Sequence, residues 1–115
     1  MMKRSLISVL SLLMLVLCIP ALAESTDWNY DANYAILRGY DGAGGDVVVP
    51  AEIDGFTVDV IGINVFKGDT ITSLTLPETV LELRSNAVSS CEKLTSVTLP
   101  QSLVVINRMN FFSCN

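Results

Sequence analysis

Pro77 and Pro100 lie 23 residues apart, and each closes the same phrase, Leu74-Thr75-Leu76-Pro77 and Val97-Thr98-Leu99-Pro100. With the two segments registered on these prolines, Val80 falls on Leu103, Leu83 on Ile106, Val88 on Phe111, Ser90 on Ser113 and Cys91 on Cys114. Five positions are identical and the apolar positions agree in kind. A third copy lies upstream, where Val47-Val48-Val49-Pro50 takes the strand-proline phrase, Ile53 replaces Val80, and Phe66 falls on Val88. Five extra residues, 54–58, enter before that register resumes. They include Asp54-Gly55 between apolar residues, a dipeptide suited to the positive φ of a tight hairpin turn.

A period of this length means stacked units. Each unit offers a short strand whose apolar residues, Leu74 and Leu76 or Val97 and Leu99, face inward, while Thr75 and Thr98 face outward. The proline cannot donate to a strand ladder and so ends each strand where the chain turns away. No stretch carries ten or more residues of helical period, so the return path is expected to be turns or 3₁₀ pieces. About three units are needed before such a stack becomes stable, because each buries its apolar face only on its neighbours.

The segment before the repeats reads in two parts. Lys3 and Arg4 precede an apolar run, residues 6–19, then Pro20 and Ala21-Leu22-Ala23, the layout of a secretory signal cut after residue 23. The run is too short for a membrane span, so no span is expected once the signal is removed. Residues 24–46 read as an N-terminal cap and 47–115 as the repeats. In the cap, a strand around Ile36 and Arg38 leads to the turn Asp41-Gly42-Ala43-Gly44-Gly45-Asp46. That turn suits a calcium or phosphate loop or a hairpin turn. The loop occurs once and is followed by valines rather than a lysine-bearing helix, which favours a hairpin joining the strand to Val47–Val49.

Composition then narrows the function. The chain has 115 residues, a net charge of −5 and no histidine. Removing Lys3 and Arg4 leaves five basic residues against twelve acidic ones, a net −7. Clustered cations for nucleic acid are missing, so no nucleic-acid partner is expected. Without imidazole there is no serine–histidine or cysteine–histidine pair, and no cofactor or metal site is implied. Cys91 and Cys114 share one repeat position and should stack about 4.8 Å apart, inside the disulfide window of roughly 4.4–6.8 Å. Two readings stand, a disulfide or a ladder of buried reduced thiols. Asp69 takes the same place in the first unit, which favours the thiols.

The pattern strand, proline, two apolar positions, glycine-x-x-alanine-phenylalanine, cysteine and leucine resembles the BspA-type leucine-rich repeats of bacterial surface proteins. Leu74-Thr75-Leu76-Pro77, Ala87-Val88, Cys91 and Leu94 follow it, as do Ile61-Gly62 and Val65-Phe66. Gly39-Tyr40-Asp41-Gly42 and Ile53-Asp54-Gly55-Phe56 resemble the family's entry to its array. The resemblance spans residues 34–115. It implies a mainly β solenoid with short parallel strands, repeats of about 23 residues and an N-terminal β-hairpin cap. The glycine position holds Arg84 in the second unit and Asn107 in the third, of which asparagine better tolerates a positive φ. Asn110 stands where the family packs alanine, which predicts an altered last rung. The third unit stops at Cys114-Asn115, before its own leucine. This reads as a fragment of a longer chain, or as an open end suited to end-to-end self-association.

The outward residues Ser73, Thr75, Ser96 and Thr98 form the candidate binding face. Together with export, they suggest a secreted or cell-surface, non-catalytic module for protein or glycan on host or neighbouring cells. A structural spacer within a longer surface protein is the alternative reading. An enzyme using paired acids is disfavoured, because Asp41, Asp46, Asp54 and Asp59 fall at or near turns.

Overall fold

The computed structural model describes residues 27–68 and 70–114. The proposed signal segment and Asp69 lie outside the described residues. Twelve short strands carry the chain: β1 (Trp28–Asp31), β2 (Ile36–Tyr40), β3 (Gly45–Val48), β4 (Glu52–Ile53), β5 (Phe56–Thr57), β6 (Val60–Ile61), β7 (Phe66–Lys67), β8 (Ile71–Thr75), β9 (Glu82–Leu83), β10 (Val88–Ser89), β11 (Ser96–Thr98) and β12 (Val105–Ile106). Among the described residues the connections are turns, and no helix is long and apolar enough to cross a membrane.

Three coils visit the same three faces in turn. The phrase before each proline builds one sheet, in the order β11-β8-β3; the next stretch builds a second, β1-β2-β6-β9-β12; and the third face pairs β10 with β7. All pairings between coils are parallel, and their core positions stay in register: Val47↔Leu74↔Val97, Ile61↔Leu83↔Ile106 and Phe66↔Val88. The third coil joins the last face through a single bridge, Ser89↔Phe112. The inward alternation holds where coils lie on both sides. Leu74, Leu76, Ile61, Leu83, Phe66 and Val88 are buried, each fully buried large side chain contributing about 1.5–3 kcal/mol. The third coil has a neighbour on one side only among the described residues, and there Leu99 and Ile106 are 41% and 49% exposed.

The cap is a β-hairpin, but not the one expected. β2 does not pair with Val47–Val49. It pairs antiparallel with β1 and parallel with β6 through Leu37↔Ile61, so Leu37 stacks above Ile61 and Leu83 as an extra rung. β3 pairs parallel with β8 on another face. Asp41–Asp46 is therefore a corner between sheets. It is pinned by the Gly44 amide donating to the Tyr40 hydroxyl (3.2 Å) and the Gly45 amide donating to the Thr70 carbonyl (2.7 Å). Trp28, from β1, packs against Tyr40 and edge-on against Phe66, closing the core at this end.

The inserted residues behave as expected. β4 and β5 form a two-residue hairpin with Asp54 and Gly55 at φ 52° and 84°. Tyr30 fastens it to the cap, stacking on Phe56 and donating to the Thr57 carbonyl at 3.1 Å.

The left-handed backbone falls elsewhere than the repeat glycine implied. Asn64, Asn86 and Met109 hold φ 57°, 58° and 64°, whereas Gly62 is free of positive φ. Gly62 answers a different need: a Cβ there would sit 2.8 Å from the Leu37 carbonyl oxygen and 2.9 Å from Ile36 Cγ2. Asn110 does alter the last rung. In the first coil the Phe66 amide donates to the Ala87 carbonyl (2.8 Å), but the Val88 amide donates instead to the Asn110 side-chain Oδ1 (3.0 Å). The Asn110 Nδ2 donates to the Arg84 and Asn107 carbonyls at 2.9 and 2.8 Å, replacing backbone contacts with side-chain ones.

Neighbouring substitutions should thus act in opposite directions. Asn110→Ala strands the Val88 amide and is expected to lower stability by about 2 kcal/mol. Met109→Asn, relieving a left-handed conformation at a half-exposed side chain, is expected to raise it by roughly 0.5–1 kcal/mol. Urea unfolding midpoints at a constant slope measure both.

Candidate functional site

The strand-proline sheet brings all four candidate residues to one outer face. Ser73 pairs with Ser96 and Thr75 with Thr98, because Leu74 and Val97 between them point into the core. The face has a further rung that the candidate residues did not include. Asp46 lies opposite Ser73, and Val48 opposite Thr75. Two columns result, Asp46-Ser73-Ser96 and Val48-Thr75-Thr98. The register of Val47–Val49 on Leu74–Leu76 already carried this signal, but assigning Asp46 to a hairpin turn hid it.

A bulge shapes the upper end. The register between β3 and β8 shifts between Gly45 and Asp46, giving β8 one extra residue, Thr72. Both Ser73 Oγ (2.7 Å) and Thr72 Oγ1 (3.4 Å) consequently donate to Asp46 Oδ1. Below, the Thr95 amide and hydroxyl donate to the Thr72 carbonyl at 2.9 and 3.1 Å. Ser73 and Thr75 are half-buried by their neighbours, while Ser96 and Thr98 are exposed and Val48 is 63% exposed. The face therefore offers hydroxyls at a rung spacing of about 4.8 Å, one carboxylate and one apolar contact. This suits hydrogen-bonded recognition of a surface. Among the described residues no group of three histidine, cysteine, aspartate or glutamate side chains could hold a metal ion.

Cys91 and Cys114 meet on the interior side of adjacent coils, and both are free thiols in the structure. Cys91 is buried, with its sulfur 3.4 Å from the Ser89 carbonyl and 3.5 Å from the Phe66 carbonyl, both placed to accept from it. Burial first, then the adjacent Cys114 thiol, pushes the Cys91 thiol up to about 11 from an ordinary value of 9.0. Its thiolate is correspondingly scarce at neutral pH, the opposite of what nucleophilic or redox chemistry needs.

The outer face, its strand-proline phrase and the 23-residue period are those of a known repeat. The family model for the BspA type leucine rich repeat region matches residues 53–115, more than half of the chain. The chain belongs to the BspA-type leucine-rich repeat family. It is similar to the crystal structure of a T. pallidum leucine rich repeat protein, TpLRR, with a TM-score of 0.71 and 26% identity over 79% of this chain. The chain spans 45% of that protein's length. No curated protein matches it in sequence. The BspA-type repeat thus accounts for the solenoid of parallel strands and for the role of the chain as a repeat module.

The Cys91 thiol gives a pH signature. A group whose folded value lies above its unfolded one favours the folded state while protonated. Its contribution is full below pH 9 and is lost as pH rises toward about 11. The melting temperature of the reduced chain is expected to fall more steeply over that interval than that of Cys91→Ala, as followed by circular dichroism.

Proposed function

We propose that this BspA-type module is an exported, non-catalytic recognition domain, binding protein or glycan on host or neighbouring cells through its strand-proline sheet. The observation that carries the reading is the three-rung register of Asp46-Ser73-Ser96 beside Val48-Thr75-Thr98. Repeated hydroxyls on a rigid parallel sheet present donors and acceptors at fixed spacing, and solenoids use such extended surfaces for binding. Histidine is absent from the whole chain, and the Cys91 thiol is held protonated, which supports a role without catalysis. The secretory layout of the first 23 residues supports the extracellular setting.

A second reading, a spacer or presenting module within a longer surface protein, is supported by one observation: TpLRR, of the same architecture, is more than twice as long as the region matched to it.

Binding of the purified chain to panels of matrix proteins and glycans, read by biolayer interferometry, separates the two. Recognition through this sheet predicts saturable binding that weakens about tenfold or more in Thr75→Lys and in Thr98→Lys, each of which drives a long charged chain into the face. Binding indifferent to both substitutions, or no saturable binding in a chain that folds, would leave the spacer reading standing.

A further inference from the structure

The second sheet carries a column unlike its neighbours. Leu37, Ile61 and Leu83 are in register and buried, so the residues that follow them, Arg38, Gly62 and Arg84, form one column on the outside of three successive rungs. The two arginines stand two rungs apart, about 9–10 Å between backbones. Between them Gly62 has no side chain, and the close approach of Leu37 and Ile36 forbids one. Outside this column lies an open groove of about 370 Å³ lined by Ile36, Arg38, Gly62, Ile63 and Arg84. That volume is at the small-molecule end of the range for ligand pockets.

The charge distribution is pointed. Outside the proposed signal the chain holds five cations against twelve acids, and two of the five flank this one groove. Arg38 is held from two sides, its Nε 2.7 Å from Asp31 Oδ2 and its guanidinium 5.3 Å from the Tyr34 ring centroid. Arg84 makes a looser pair, Nε 3.6 Å from Glu82 Oε1. A guanidinium has five N–H donors, so each keeps donors beyond its intramolecular partner. Ile36 and Ile63, the latter 58% exposed, supply apolar wall.

We infer that this groove binds a small carboxylate with an apolar body or face, the carboxylate received by the fork of Arg84 and Arg38 over Gly62 and the body lying on the isoleucines. Planar carboxylates match guanidinium donors two at a time, which a lone ammonium does not do. The site lies on a different sheet from the hydroxyl columns, so it stands or falls independently of the function proposed above.

Titration of the ¹⁵N-labelled chain with glucuronic acid and, separately, with N-acetyl-leucine tests the site and distinguishes a sugar acid from a peptide-like one. Glucose and N-acetyl-leucinamide serve as uncharged counterparts. One or both acids are expected to shift the Gly62 and Ile63 amides saturably, with a Kd on the order of 1 mM, as a half-exposed pair of charged contacts gives. Arg84→Gln and Arg38→Gln should each weaken that binding about fivefold or more. Lys67→Gln, an exposed cation on another face, should leave it unchanged. Both arginines are about half exposed, so their variants are expected to fold, and an unchanged amide spectrum elsewhere checks it. No saturable shift with either acid, equal response to the uncharged counterparts, or equal weakening by Lys67→Gln would overturn the assignment.

Discussion

Everything in this molecule depends on the stacking of one coil on the next. Among the described residues no strand exceeds five residues, and several have two, so no sheet could stand on its own pairings. What holds them is that three faces repeat together, placing Leu37 over Ile61 over Leu83 on one side and Val47 over Leu74 over Val97 on another. Where coils lie on both sides, the inward apolar side chains are covered by their counterparts in adjacent coils. A coil whose length drifted would break three ladders at once, which explains why the five-residue insertion leaves the circuit as a hairpin of its own. The same dependence gives the N-terminal hairpin its role: β2 supplies a rung without a full coil, and Trp28 covers what that rung leaves open.

The spacing of the prolines was enough to place β8 and β11, the outward pairing of Ser73 with Ser96 and Thr75 with Thr98, and the Asp54-Gly55 hairpin. These features are local or strictly periodic, and both kinds of signal survive in a single sequence. The cap is less legible. A strand, a glycine-rich turn and a valine strand look like a hairpin to any rule based on neighbours in sequence. The competing partners of β2 and β3 were Ile61 and Leu74, more than 20 residues away, and the stacking geometry favoured them. The same preference for near neighbours in sequence hides Asp46 from the candidate face.

Gly62 and Asn110 show a second limit. A glycine invites explanation by φ, yet Gly62 is required by the close approach of Leu37 and Ile36, contacts set by the extra rung β2. Asn110 looked like a polar intruder at an alanine position. Its amide instead reproduces, from a side chain, the acceptor that the Ala87 carbonyl provides one coil earlier. Neither role has a signature within its own unit, because both are set by what lies across the coil boundary.

The chemistry of the surface follows from the same division. Positions that agree from coil to coil are mostly those that stacking consumes, the leucines, valines and strand-ending prolines. At the outward positions the coils differ: Asp46, Ser73 and Ser96 along one column, Arg38, Gly62 and Arg84 along another. The repeat fixes the spacing of these groups to the rung distance, while their identity varies where no neighbour packs closely on them, as at Arg38 and Arg84 but not at Gly62. A solenoid can therefore hold hydroxyls and a carboxylate on one face and a pair of guanidinium groups on another without altering its core. The chemical individuality of such a chain resides in its departures from the repeat, and those departures keep fixed positions only because the repeat holds everything else in register.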